Sequence, residues 1–198
     1  SGKVETRTQD FTTGILFQSN ASSNFIVHHV FDRLVTPLGI PSGNPHVAIA
    51  AGDYDYRSYT ANFNTSQRRK VAVNGAFDWG DFYNGQRKAM SAGLNLRPTF
   101  HLTMHMTMDR QQVTLPNGSF TTNLLGTRFI YAFSPRAIVN AFVQYNTDTH
   151  KVSSNIRFNW THHPLSDLYI VYNDTRDTIS RQPVQRALIV KLTNLFRF

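Results

Sequence analysis

The chain has 198 residues, 40% apolar, 13% aromatic and only 16% charged, and its 20 Lys+Arg against 12 Asp+Glu give a formal net charge of +8. It is too aromatic and too lightly charged for a disordered chain, and its length fits one good-sized domain, 1–198. The absence of cysteine excludes disulfide scaffolds and thiolate chemistry. The longest apolar runs, Val47–Ala51 and Phe129–Phe133, fall far short of the ~20 residues of a transmembrane helix.

The chain opens on Ser-Gly-Lys-Val-Glu-Thr-Arg, which lacks the apolar core of a signal peptide. The expectation is a removed leader or a piece of a longer protein. From there the apolar residues keep a period of two rather than 3.6, which a pleated strand sorts by face and a helix would mix. Eleven strands are predicted: 9–19, 24–35, 54–63, 70–80, 86–97, 100–112, 120–133, 137–145, 152–161, 167–173 and 187–198. In the fourth, Val71, Val73, Phe77 and Trp79 oppose Asn74 and Asp78. In the fifth, Met90, Ala92, Leu94 and Leu96 oppose Arg87, Ser91, Asn95 and Arg97. The sixth is the clearest: Phe100, Leu102, Met104, Met106 and Met108 against His101, Thr103, His105 and Thr107. Val152, Ile156, Phe158 and Trp160 oppose Ser153, Asn155, Arg157 and Asn159 in the ninth, and Leu188, Val190 and Leu192 oppose Lys191 and Thr193 in the last.

Most of these strands exceed the soluble mode of about 5–6 residues and suit the ~9–11 residues of a tilted strand crossing a bilayer. Predicted connections alternate between short turns (20–23, 64–69, 97–99, 134–136, 162–166) and a longer set led by 36–53 and 174–186, the asymmetry of bacterial outer-membrane barrels. Aromatic residues at strand ends form the expected girdle: Phe63, Phe100, Phe133, Trp160 and Phe198 on the short-turn side, Trp79 and Tyr145 on the other. The opposite face, predicted to line a lumen, carries Arg87, Asn95, Arg97, His101, His105, Arg128, Asn140, Gln144, Asn155, Arg157 and Lys191. It reads as polar and somewhat basic, favouring anionic or polyhydroxylated solutes. The fold class expected is therefore all-β, an antiparallel up-and-down transmembrane β-barrel. Single-chain bacterial barrels have even strand numbers, so eleven strands ending at Phe198 suggest the C-terminal part of a larger barrel, unless Val47–Ala51 is a further hairpin strand.

The chain ends Leu192-Thr-Asn-Leu-Phe196-Arg-Phe198, which looks like the terminal strand that barrel-assembly machinery recognises in Gram-negative outer-membrane proteins. A wider series runs from Gly52 to Phe198. It comprises Gly52-Asp53-Tyr54, Trp79-Gly-Asp-Phe-Tyr-Asn-Gly85, Leu115-Pro-Asn-Gly-Ser-Phe-Thr-Thr122, Tyr131-Ala-Phe-Ser-Pro-Arg136, Val143-Gln-Tyr-Asn146, Ser166-Asp-Leu-Tyr-Ile-Val-Tyr-Asn173 and Arg186-Ala-Leu-Ile-Val-Lys191. In this order it resembles the C-terminal barrel of an uncharacterised family of bacterial outer-membrane proteins. Members of that family begin with a periplasmic module similar to type 9 carbohydrate-binding (DOMON-like) domains. The resemblance implies residence in the outer membrane of a Gram-negative bacterium, with membrane lipid, the assembly machinery and glycans as partners. It supplies no catalytic residue.

The residues themselves offer little chemistry. His101 and His105 share a face but lie about 13 Å apart along a strand, too far for one metal ion. His28 and His29 point oppositely if extended, and His162-His163-Pro164 reads as an interfacial turn. No phosphate loop, His-Glu-x-x-His or nucleophile elbow occurs, so no metal, cofactor or catalytic residue is assigned. Scattered basic residues, clustered only at Arg68-Arg69-Lys70, do not form a nucleic-acid surface. Two alternatives remain: a soluble all-β binding module whose apolar face is its core, and a membrane-embedded hydrolase using Ser91 and His105.

Overall fold

In a computed structural model that describes residues 5–40 and 48–195, the chain is all β. The strands are β1 (Thr6–Leu16), β2 (Ser22–Leu34), β3 (Leu38–Gly39), β4 (Ala48–Ile49), β5 (Gly52–Asn64), β6 (Val71–Phe82), β7 (Gly85–Leu96), β8 (Leu102–Leu115), β9 (Gly118–Ser134), β10 (Ala137–Asn146), β11 (Lys151–His163), β12 (Ser166–Asp177) and β13 (Pro183–Leu192). Eleven of them form an antiparallel sheet in the order β1-β2-β5-β6-β7-β8-β9-β10-β11-β12-β13, and β3-β4 is a separate short hairpin. Each long strand hydrogen-bonds to its chain neighbour, as hairpin-connected strands do.

The ends of the elements show what the alternation alone leaves open. The first strand stops at Leu16, three residues before the predicted end, because Asn20 takes a φ of 59° and the chain closes with Phe17 N–H donating to Ala21 O at 2.8 Å. Phe100, predicted to open a strand, lies in the turn before Leu102. The predicted loops at 81–85 and 113–119 shrink to Tyr83-Asn84 and Pro116-Asn117, since the flanking strands run further than their apolar stretches. The positive φ of the first of these turns belongs to Tyr83, at 53°, rather than to Asn84 or Gly85. Gly85 is needed instead for close approach, because a Cβ there would stand 2.1 Å from the Thr114 carbonyl oxygen. The predicted contrast between short and long connections thus reduces to one case, the segment between β2 and β5. The predicted end at 198 lies outside the described residues, and β13 closes at Leu192.

Two compact units make up the chain, one built from residues up to 67 with 73–92 and 109–123, the other from 68–72, 93–108 and 124 onwards. In the first, cross-strand pairing places Phe11, Phe25, Val27, Tyr59, Ala61, Phe63, Phe77 and Trp79 on one face. Asp10, Thr12, Asn24, His28, Ser58, Thr60, Asn62, Asn74 and Asp78 share the other. In the second, Phe129, Tyr131, Val139, Ala141, Val143, Ile156, Phe158, Ile170, Tyr172, Leu188 and Val190 share one face. Arg128, Asn140, Gln144, Ser153, Asn155, Arg157, Asn173, Thr175 and Lys191 share the opposite one, interrupted by Ile130, Ile138, Phe142, Val171 and Ile189.

Candidate functional site

The apolar face has no cover. Phe77 is 45% exposed, Ile156 42% and Leu188 68%, and the buried hydrophobics among the described residues are only Ile49, Ala72, Val113 and Leu115. Charges on this face gather at one end of each strand. In the first unit, beyond Phe25, Tyr59 and Trp79, come His29 bonded to Asp55 at 2.6 Å and Arg33 paired with Asp53 at 2.6 Å. In the second, beyond Tyr172 and Leu188, come Asp174, Arg176 and Arg186. Between Val152 and Trp160 on β11 the face carries only Val152, Ser154, Ile156, Phe158 and Trp160, a stretch of about 26 Å at ~3.3 Å per residue. A dent of about 450 Å³ lies on the first unit's apolar face among Phe63, Val73, Phe77, Met90 and Ala92.

Asp174 shows how the charged end is held. Its carboxylate accepts from Arg186 Nε at 3.0 Å and from Arg176 Nε at 2.5 Å, with 8% of the residue exposed. The bond from Arg186, with help from Arg176 and against the pull of burial, keeps its carboxyl below the usual carboxylate range. A lowered folded value means that the stabilisation is complete above the unfolded value of about 3.9 and is lost as pH falls through the folded one. Amide exchange across the β12–β13 hairpin is therefore expected to quicken below about pH 4. In Asp174→Asn it should be fast already at neutral pH and flat with acid.

The predicted girdle residues divide between the strand ends. Phe63, Phe133 and Trp160 are exposed where β5, β9 and β11 meet their turns. Trp79 stacks in a cluster with Phe77, Tyr59 and Phe25 at centroid distances of 5.2, 5.7 and 6.0 Å. Tyr145 pairs with Val152 at the opposite end, Phe100 is 92% exposed in its turn, and Phe198 lies outside the described residues.

The residues predicted to line a lumen fall on the polar face and are tied to it locally. Arg87 stands 5.8 Å over the Phe82 ring in the first unit. In the second, His105 Nδ1 is hydrogen-bonded to Asn95 Oδ1, and His101 Nδ1 donates to Ala132 O at 2.8 Å. Arg97 N–H donates to Lys70 O at 2.7 Å. Arg128 lies 5.1 Å over Phe142, Asn155 donates to Asn173, and Asn140 stands opposite Arg157. Gln144 faces Gly126 and Ser153, and Lys191 faces Tyr169. With His105 committed to Asn95, its Nδ1 has the partner that a catalytic orienter would need, but no contact with Ser91 is seen.

Sequence reading counted the cations of this face and underweighted its acids. Asp10, Asp32, Asp78, Asp109 and Asp167 answer Arg87, Arg97, Arg128, Arg157 and Lys191, while Lys151 pairs opposite Asp177. The face is close to neutral, and the basic excess sits at strand ends and in turns such as Arg68-Arg69-Lys70.

Two further features were not foreseen. At the loop end of the first unit, Ile49 is wholly buried with Val113 and Leu115, packed by Leu34, Ile40, Tyr54, Phe82, Tyr83 and Phe120. Asn117 Nδ2 fixes the hairpin by donating to Ala48 O at 2.6 Å. The Tyr83 hydroxyl donates to Asp32 Oδ2 at 2.8 Å, and burial first, then that bond, pushes its ionisation well above the ordinary tyrosine range. The β3–β4 hairpin therefore folds onto the polar face at that end instead of standing free. Its signal in the sequence was the run 47–51, apolar in an otherwise polar connection. The second feature is a hydrogen-bonded row through Asp10, His28, Thr60 and Asp78. Among the described residues no group of three His, Asp or Glu side chains could hold a metal ion.

Comparison with known proteins returned no matching family model, no matching curated protein and no matching solved structure.

Proposed function

We propose that this chain is an integral outer-membrane β-barrel segment, its apolar face against lipid and its polar face lining an enclosed interior. The observation that carries the reading is an apolar face uncovered along strands of 10–17 residues, with charge only beyond one end of its middle stretch. In water, so much exposed hydrocarbon would drive association. In a bilayer it is the expected surface, and the ~26 Å stretch matches an apolar band of about 25 Å. A soluble module is disfavoured because its core would be this face, and Leu192 is 68% exposed.

The resemblance to barrels that carry a carbohydrate-binding-like module extends the proposal. The barrel anchors such a module in a Gram-negative outer membrane, or gives glycans a passage. A near-neutral, hydroxyl- and amide-rich polar face suits uncharged polyhydroxylated solutes better than anions, which narrows the expectation drawn from arginines alone. Refolding tests the core of this reading. The chain is expected to refold to a β-rich, heat-resistant monomer in detergent micelles or phospholipid vesicles and to aggregate in buffer. A stable monomer in buffer alone would overturn it. Ion conductance in planar bilayers then separates passage from anchor, since a plugged barrel stays silent.

A further inference from the structure

We propose that Asp10, His28, Thr60 and Asp78, on four consecutive strands of the sheet, form a proton-binding site that holds one hydrogen more than their separate groups supply. The register builds the row. Asp10 on β1 lies opposite His28 on β2, His28 lies opposite Ser58 with Thr60 on the diagonal of β5, and Thr60 lies opposite Asp78 on β6. The contacts are His28 Nδ1 to Asp10 Oδ1 at 2.8 Å, His28 Nε2 to Thr60 Oγ1 at 3.1 Å, and Thr60 Oγ1 to Asp78 Oδ1 at 2.5 Å.

Three contacts need three hydrogens. Two ionised carboxylates bring none, the threonine hydroxyl brings one, and a neutral imidazole brings one. One contact would then set lone pair against lone pair at hydrogen-bonding distance. A third hydrogen completes the row in either of two arrangements. In the first, imidazolium donates to Asp10 and Thr60 while Thr60 donates to Asp78. In the second, protonated Asp78 donates to Thr60, which donates to neutral His28, which donates to Asp10. Shifting the Thr60 hydrogen and its neighbour interconverts them with no net change, so the site holds a proton that the hydroxyl relays between ring and carboxyl.

The surroundings leave this proton in contact with solvent. His28 and Asp78 line a cavity of about 290 Å³ with Tyr56, Ser58, Asp81, Phe82 and Arg87. The ionisable groups around the ring are Asp10 from β1, Tyr56 from β5, Asp78 and Asp81 from β6 and Arg87 from β7. Asp32, further along β2, is held by Thr6 Oγ1 and Tyr83. Release of the proton breaks one contact of the row and leaves a carboxylate without its donor, on Asp10 or, in the cavity beside Arg87, on Asp78. Histidine titrates between pH 5 and 8 more readily than any other side chain, which makes the row a place where external acidity changes the lining of this face. The site stands on the hydrogen count and not on the membrane reading.

Nitrogen-15 NMR of histidine-labelled protein folded in detergent tests it, with His28→Gln identifying the signal. In the wild type near pH 7 both His28 nitrogens are expected to carry hydrogen or to exchange rapidly with that state. Asp78→Asn supplies its own amide hydrogens and Thr60→Val removes the relay. Each should lower the doubly protonated population at least tenfold, leaving a neutral ring protonated at Nδ1. A neutral wild-type ring, or an equal doubly protonated population in wild type and both variants, would overturn the proposal. Asp78→Asn preserves shape and Thr60→Val preserves volume, so failure of one variant to fold leaves the other to decide.

Discussion

Replacing Ile156 with arginine is expected to cost the protein about 2–4 kcal/mol when folded in phospholipid vesicles, the price of a cation near the bilayer midplane on a lipid-facing strand. Ile156 sits midway along the uncharged stretch of β11, paired with Ala141 and Tyr172 on the apolar face. It is 42% exposed, so the same substitution on a protein in water would shift stability by less than about 0.5 kcal/mol, as exposed substitutions do. Gln144→Arg is the control. Gln144 pairs with Gly126 and Ser153 on the polar face, and its replacement should stay within about 0.5 kcal/mol in the same vesicles. Urea titration of both variants reads the difference directly. Equal, small effects would remove lipid from the apolar face and leave that face needing a protein partner instead.

The same pairing explains how much of this was legible beforehand. Period-two alternation placed all eleven long strands, because a pleated strand sorts side chains without help from its neighbours. Boundaries were misjudged where polar residues continue a strand past its apolar stretch. Gln111, Gln112 and Thr114 read as loop, yet β8 runs to Leu115. The supposed long loops were largely ladder, so loop length was a poor guide to which end of the strands differs; the positions of Asp53, Asp81, Asp174 and Arg186 mark that end better. His28-His29 was correctly read as pointing to opposite faces. What pairs with each ring depends on register, which brings Asp10 to one and Asp55 to the other, and register is not visible in a single strand. The neutrality of the polar face was visible in principle, had Asp10, Asp32 and Asp167 been assigned by parity as the arginines were.

Truncating Ile49 to alanine is expected to weaken the latch of the β3–β4 hairpin by about 2–5 kcal/mol, the range for removing a buried isoleucine side chain. The residue has no exposure, and its neighbours Val113 and Leu115 belong to a strand fixed in the sheet. That strand cannot follow the lost volume, which places the cost towards the upper part of the range. The hairpin's remaining fastening is the Asn117–Ala48 hydrogen bond, worth about 1 kcal/mol net, too little to hold two-residue strands in place. The loss should therefore be local. Amide exchange at residues 48–52 and proteolysis of the β2–β5 connection should accelerate by at least tenfold, a factor that needs only about 1.4 kcal/mol. Ladders β10–β13 should keep their protection. Val113→Ala should reproduce the effect from the other side of the contact, since both changes empty the same site. If Ile49→Ala left exchange at 48–52 unchanged, the connection would be held by something other than this cluster. A uniform loss across the whole sheet would instead mean that the hairpin is part of the sheet's own stability and not a separable cover on its polar face.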